Sequence, residues 1–472
     1  MGSVSPTRFN VKQIAIIGAG PSGLATAKYL IAQHAFTHIV IFEQQQEIGG
    51  IWVPPPSGVN PPPSRCTVPQ TNPFLPPEPP VSVAEDRPRC RKVTYHYPSA
   101  VYDKLSANTV GSLMQFSDEP FPSSCLLFPS CDDIRDSILR YGHDVRHLIR
   151  FRQQVTSLEL LQNHGHDQWR LRTRDVVSDE AADHLFDAVV VASGHYSVPF
   201  IPDLNNSAAF HDAHPSVIIH SREYRSPESY RDKKVVVVGN GPSGVDIAAQ
   251  INAVSKGKTI LSVKSATAPE SLAFTGCDEA SELVEFLVDE RGVRFKDGRV
   301  ETDVDAVIFC TGFLYSFPFL NDLQSKLITS GHGVHGLYKH LFYAQHPTLV
   351  FSALPSRSVP WPLSECQAAV VAAVWSNQLE LPPVEEMQGW SRDLHERVGE
   401  ALQLLPPGGN HHYINELHDW AIKASYLGKQ PPRWSESDGW QHLHMGEIRR
   451  RFHKQGARAK TWADLGIEPG PS

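Results

Sequence analysis

The sequence has no C-x-x-C pair, no unbroken hydrophobic run of membrane length and no surplus of positive charge. Its seven cysteines (Cys66, Cys90, Cys125, Cys131, Cys277, Cys310, Cys366) form an odd set with neither dithiol nor ligand spacing. That argues against a disulfide scaffold, a zinc site and a dithiol redox centre, so no metal is expected and a reducing, cytoplasmic setting is the natural reading. The apolar stretch from Ile14 to Ala32 is interrupted by Gly18, Gly20, Pro21 and Gly23 and carries Lys28. The final residues WADLGIEPGPS add no hydrophobic tail, and no membrane span is expected. A net charge of −8 gives no reason to expect a nucleic-acid partner. With 472 residues, 41% of them hydrophobic, the chain can bury two or three separate cores.

Two segments repeat one pattern: a β-branched run, a glycine-rich turn, then a helix of small residues. They are QIAIIGAGPSGLATAKYL and KKVVVVGNGPSGVDIAAQI. In the first, Gly18 makes the tight turn, Gly20 lets the backbone approach a pyrophosphate, and Gly23 lets the helix pack on the strand. Ala19, Pro21 and Ser22 complete that cradle, and Glu43 closes the next strand at the offset of a ribose-binding carboxylate. The second copy uses Gly239, Asn240, Gly241, Pro242, Ser243 and Gly244, so a second dinucleotide is implied. No carboxylate closes its distal strand, TILSVKS. Lys264 stands there and would suit a 2'-phosphate, which favours NADPH over NADH.

The fold class is α/β, with two Rossmann-like dinucleotide-binding domains. The runs FDAVVVASGHYSVP and VDAVIFCTGFLYSFPFL are expected to be buried strands where the chain crosses between them. The second domain, 206–325, is expected to be inserted into a discontinuous first domain made of 8–205 and 326–472. The proline-rich stretch 54–98 is expected to be an irregular loop.

The chain from Gln13 to about Trp420 resembles the flavin-containing monooxygenase family, closest to its nitrogen- and sulfur-oxygenating members. GAGPSG with FE and GGIW looks like the family's FAD half, GNGPSG its NADPH half, and ASGHYSVP and CTGF its crossing strands. The resemblance implies FAD contacts at Gly50, Ile51, Trp52 and Val155, and cofactor contacts at Thr311 and Gly312. The loop YDKLSANTVGSLMQF looks like the one that brings an asparagine to the flavin, which makes Asn108 the catalytic candidate with Thr109 beside it. An amide there can donate and accept hydrogen bonds without titrating. Gln367, in VPWPLSECQ, is read as starting a helix aimed at the flavin.

The family fingerprint F-x-G-x-x-x-H-x-x-x-Y/F appears here as HPSVIIHSREYR, with His220 and Tyr224 in place but Ser216 where glycine stands. The turn before His220 is therefore expected to be built differently. Baeyer–Villiger relatives carry tryptophan at the position of Tyr224, which leans away from ketone oxidation.

The resemblance implies that NADPH reduces FAD, that O2 adds at flavin C4a, and that a small nucleophile takes the distal oxygen. No catalytic acid–base side chain is needed for that attack, and no paired-carboxylate or nucleophile–histidine signature is present. A pyridine-nucleotide disulfide reductase would share both glycine motifs but needs two neighbouring thiols. A hydrogen-peroxide-forming oxidase and a non-catalytic flavin-binding scaffold share every motif, and whether the chain forms a homodimer is left open.

Overall fold

The run Gln13–Ile17 is a central strand of a seven-stranded sheet, and four of its five residues are buried. It pairs in parallel with His38–Glu43 on one side and Ala188–Val191 on the other. A parallel sheet covered on both faces demands such near-continuous apolar strands. Our computed structural model of the protein describes residues 8–54, 71–76, 79–87, 90–163 and 166–471. Across the sheet the order is Leu337–Tyr338, Phe342–Tyr343, Leu349–Phe351, Ala188–Val191, Gln13–Ile17, His38–Glu43, Ile149–Phe151. Strands from both ends of the chain thus share one sheet.

The helix Pro21–Ala32 packs against Pro360–Trp375, in which every residue from Trp361 to Trp375 is buried. A helix apolar on all sides has to lie inside the protein. A second, fully parallel sheet has the order Ile218–His220, Ala306–Phe309, Val235–Val238, Ile260–Ser262, Asp278–Ala280. The chain leaves the larger sheet after Val191 and returns to it at Leu337, so the second sheet is inserted into the first. The two crossings are tied together, Val198–Pro199 pairing antiparallel with Phe313–Leu314.

One sequence expectation is corrected here. Within the proline-rich stretch 54–98, Val81–Arg87 and Cys90–His96 form an antiparallel hairpin rather than an irregular loop. The β-branched residues Val81, Val83, Val93 and Thr94 outweigh the local proline content, because the prolines flank these runs instead of entering them. Residues 55–70, 77–78 and 88–89 of that stretch, Cys66 included, lie outside the described residues. In the turn before His220, exposed Ser216 occupies the left-handed region at φ 71°. An L-residue there costs about 1–2 kcal/mol.

Relief of that strain sets a first prediction. Ser216→Gly should raise unfolding stability by up to about 1 kcal/mol, the relief being partly offset by glycine's extra freedom when unfolded. A thermal melt checks it: Tm should rise at unchanged flavin content, and a fall would mean that the serine side chain contributes more than the strain costs.

Candidate active site

The two glycine cradles are assembled by matching contacts. Gly18 takes φ +106° and its N–H donates to Phe42 O at 2.8 Å; Gly239 takes φ +104° and donates to Ser262 O at 2.8 Å. A Cβ on Gly18 would stand 2.5 Å from Ala192 O, and one on Gly239 2.8 Å from Cys310 O. A Cβ on Gly23 would meet Gly18 O at 2.0 Å, and one on Gly244 would meet Gly239 O at 1.9 Å. These four glycines are required by the chain itself.

The middle glycines behave differently. A Cβ on Gly20 would have Gly50 Cα as its nearest neighbour at 3.7 Å, and one on Gly241 meets nothing within 4 Å. The fold does not need glycine at either place, whereas an anion brought against the helix N-terminus does. That open approach fits a pyrophosphate at both sites. Pro21 and Pro242 open the two helices, where a missing N–H is harmless, and Ser22 and Ser243 follow them.

The strand ends separate the two sites. Glu43 is buried and accepts from the N–H groups of Ala19 at 2.7 Å and Gln45 at 2.8 Å. Burial pushes its carboxyl up, and the N–H groups of Gln45, Ala19 and Gln44 pull it back. In the second cradle Asn240 plays a tying role instead, its Nδ2 donating to Ser265 O at 2.9 Å and Thr267 Oγ1 at 3.0 Å. Ile17 is in register with Phe42, and Val238 with Ser262. The counterpart of Glu43 is therefore buried Val263, and Lys264 lies one residue further out. Lys264 is 75% exposed and pairs with Glu282 at 3.2 Å.

On the first-cradle side, Gly50 (φ +58°) follows Gly49, whose N–H donates to Ala19 O at 3.2 Å. Ser99 Oγ holds Ile51 O at 2.6 Å, and the Trp52 ring lies 6.0 Å from that of Trp361. Asn108 is exposed, and among the described residues its side chain accepts one long bond, from Thr109 Oγ1 at 3.3 Å. Its neighbours Ala107 and Val110 are buried in the same core cluster as Ile48 and Trp361, against which Trp52 packs. The structure thus brings the Asn108 loop and Trp52 onto one support. Val155 sits in a different cluster, with Ile17 and Phe42. Thr311 and Gly312 hold the crossings together: Thr311 Oγ1 donates to Phe200 O, and Gly312 O accepts from Phe200 N at 2.9 Å and His220 Nε2 at 3.0 Å.

Gln367 does not begin a helix. The helix starts at Pro360, and Gln367 is fully buried, accepting from Ala353 N at 2.8 Å and donating to Tyr413 OH at 3.2 Å. The proline pair Pro360 and Pro362 sets the start one to two turns earlier.

Three residues had no part in the sequence reading. Both ring nitrogens of His195 are buried without a partner among the described residues, and burial pushes its pKa down to about 4. The hydroxyl of Tyr97 is likewise buried and unpartnered among the described residues, and Glu43 adds to the effect of burial in raising its pKa. Buried polar atoms are ordinarily paired, so both fit polar groups of a bound cofactor. The third is Asp246, on the second-cradle helix Pro242–Asn252. It accepts from Tyr102 OH, from Gln250 Nε2 at 2.9 Å and from Arg449 Nη2 at 3.0 Å. Tyr102 lies on the segment leading to Asn108, and Arg449 on the helix Met445–Lys454, so one buried carboxylate joins three elements.

A family model described as flavin-binding monooxygenase-like matches residues 93–270 and 276–419. The chain belongs to this family. A second model, an NAD(P)-binding Rossmann-like domain, matches residues 16–54. Among relatives of this flavin monooxygenase, the thiol-specific monooxygenase of Saccharomyces cerevisiae is 32% identical over 78% of this chain and 78% of its own length. The flavin-containing monooxygenase FMO GS-OX-like 7 of Arabidopsis thaliana is 32% identical over 97% of this chain and 92% of its own. The solved S-allyl-L-cysteine S-oxygenase of Allium sativum shares the fold, with a TM-score of 0.75 at 24% identity over 98% of both chains. The protein is an NADPH-dependent flavin monooxygenase with FAD and NADPH as its cofactors, a small-molecule substrate and O2. Among the described residues no helix is long and apolar enough to cross a membrane.

The open space at the middle glycines yields a paired prediction. Gly241→Val should fold and keep its FAD while the KM for NADPH rises at least about tenfold, whereas Gly20→Val should fold with little or no flavin. Flavin absorbance and steady-state kinetics check both, and a yellow Gly20→Val protein with wild-type stoichiometry contradicts the placement. A second expectation concerns the clasp. Asp246→Asn leaves Arg449 without its counter-charge, and truncating one partner of a buried pair costs about 3–5 kcal/mol. Because Arg449 is partly exposed, a loss of about 2 kcal/mol is expected in denaturant unfolding.

Proposed function

We propose that this flavin monooxygenase oxygenates a soft sulfur or nitrogen nucleophile on a small molecule, with sulfur compounds the first class to test. The observation that carries the reading is the exposed Asn108 amide on a loop anchored in the same core as Trp52. The naming of the Saccharomyces cerevisiae relative as thiol-specific supports sulfur. Tyr224, where ketone-oxidising relatives carry tryptophan, leans the same way.

FAD is assigned to Gly18, Ala19, Gly20, Pro21, Ser22, Gly23, Glu43, Gly50, Ile51, Trp52, Val155, Asn108 and Thr109. NADPH is assigned to Gly239, Asn240, Gly241, Pro242, Ser243, Gly244, Lys264, Thr311 and Gly312. When bound, the flavin would supply the redox chemistry that activates O2 for oxygenation of the nucleophile. The chain's own residues hold and shield. Each helix N-terminus neutralises a pyrophosphate, Glu43 fixes a ribose, and Lys264 offers a cation to the 2'-phosphate. Trp52 covers an apolar wall that keeps water out. Asn108 donates its amide N–H groups toward the flavin edge, where negative charge develops. No side chain has to take or give a proton for a sulfide or amine to attack.

Asn108→Asp keeps the shape but replaces two N–H donors with an oxygen that can carry negative charge. Loss of such a donor typically costs about 10²-fold. FAD content and NADPH oxidation should persist while oxygenated sulfide falls about 10²-fold and hydrogen peroxide rises. Product per NADPH equal to that of the unaltered protein would show that Asn108 is an ordinary loop residue.

A further inference from the structure

We propose that His335, His395 and Glu400 form a binding site for one divalent transition-metal ion of the zinc type, separate from both dinucleotide cradles. One ligand atom from each residue lies within 4.8 Å of the other two. His335 Nε2 is 3.4 Å from Glu400 Oε2, which is about the ligand–ligand separation around a tetrahedral ion with bonds of roughly 2.0–2.1 Å. The rings of His335 and His395 face edge to face at 5.1 Å. His395 is exposed in the last turn of the helix Val384–Val398, so rotation of its side chain can close the remaining gap. Two imidazoles and one carboxylate, with water as a fourth ligand, are a donor set suited to a borderline ion rather than to magnesium or calcium.

The surroundings are built to hold these ligands. Thr329 Oγ1 and Ser330 Oγ each donate to Glu400 Oε2 at 2.9 Å, and Thr329 Oγ1 lies 3.0 Å from His335 Nε2, a contact that the ion would replace. Gln403 ties the two segments, its Oε1 accepting from Val334 N and its Nε2 donating to Val334 O, both at 2.8 Å. Outer hydrogen bonds of this kind orient metal ligands. The ion would cross-link the loop before the edge strand Leu337–Tyr338 to the end of a helix. No sequence motif announces the site, because His335 is far from the other two in the chain.

The competing account is a plain hydrogen-bonded pair between His335 and Glu400, in which His395 has no part. The experiment is therefore a Co²⁺ titration of full-length, FAD-loaded, chelator-treated protein, followed in the visible region beyond the flavin bands. One equivalent should bind with the intense absorption of a tetrahedral site, Zn²⁺ should displace it, and Zn²⁺ should raise Tm. His395→Ala, a change at an exposed position, should keep its flavin and lose at least about tenfold in affinity. Thr329→Val, which removes an outer partner, should lose about tenfold as well. Binding that survives unchanged in His395→Ala, or no stoichiometric binding below millimolar Co²⁺, overturns the proposal.

Discussion

Everything in this protein hangs on how closely a helix can come to the strand before it. At both cradles the third glycine presses on the carbonyl of the first, leaving no room for a Cβ on Gly23 or Gly244. That contact sets the angle at which Pro21–Ala32 and Pro242–Asn252 leave their sheets, and so fixes where their N–H groups and dipoles point. The parallel strands on either side then close the turn: Phe42 and Ser262 accept the N–H of Gly18 and Gly239, while Ala192 and Cys310 lie against them. Cofactor placement is thus decided by backbone packing before any polar side chain is involved.

Two such units on one chain must also be held in a fixed relation. Two backbone crossings, 198–199 and 313–314, pair with each other, and His220 bridges them to the inserted sheet through Gly312 O. Burial, together with the nearby Arg222 charge, holds the His220 imidazole down to about pKa 3, so it stays neutral and serves as a fixed donor and acceptor. Asp246 makes the other link, with Tyr102 and Arg449. A buried carboxylate is costly to desolvate and holds only with several partners. Its three partners come from inside the inserted unit and from segments on either side of it, which makes it a specific lock rather than a general adhesive.

Local chemistry with a strict period was legible in the sequence. The glycine spacings, the β-branched strands and the insertion order all follow from requirements that few residues can meet. What escaped were features decided by tertiary packing. The hairpin 81–96 was hidden by neighbouring prolines, and the helix start at Pro360 was overlooked because Gln367 drew attention to an amide that is spent inside the core. His195 and Tyr97 are notable only because their polar atoms are buried without partners among the described residues, which no spacing reveals. Ser216 holds a left-handed backbone conformation that its residue type does not announce.

The second cradle shows why a one-residue register difference matters to cofactor choice. The position equivalent to Glu43 is Val263, buried in the core, so no carboxylate can stand against a ribose there. Lys264, one step out, lies in the bend that follows the strand and is exposed. Its present partner is Glu282, and an exposed pair of this kind contributes little to stability. A 2'-phosphate carries more charge and more acceptor oxygens than a carboxylate, so the ammonium can exchange one partner for the other at small cost. Under the proposed assignment, Glu282 keeps the lysine near the strand end while the site is empty, and Lys296, 3.8 Å from the same carboxylate, is at hand to compensate it once Lys264 turns to the phosphate.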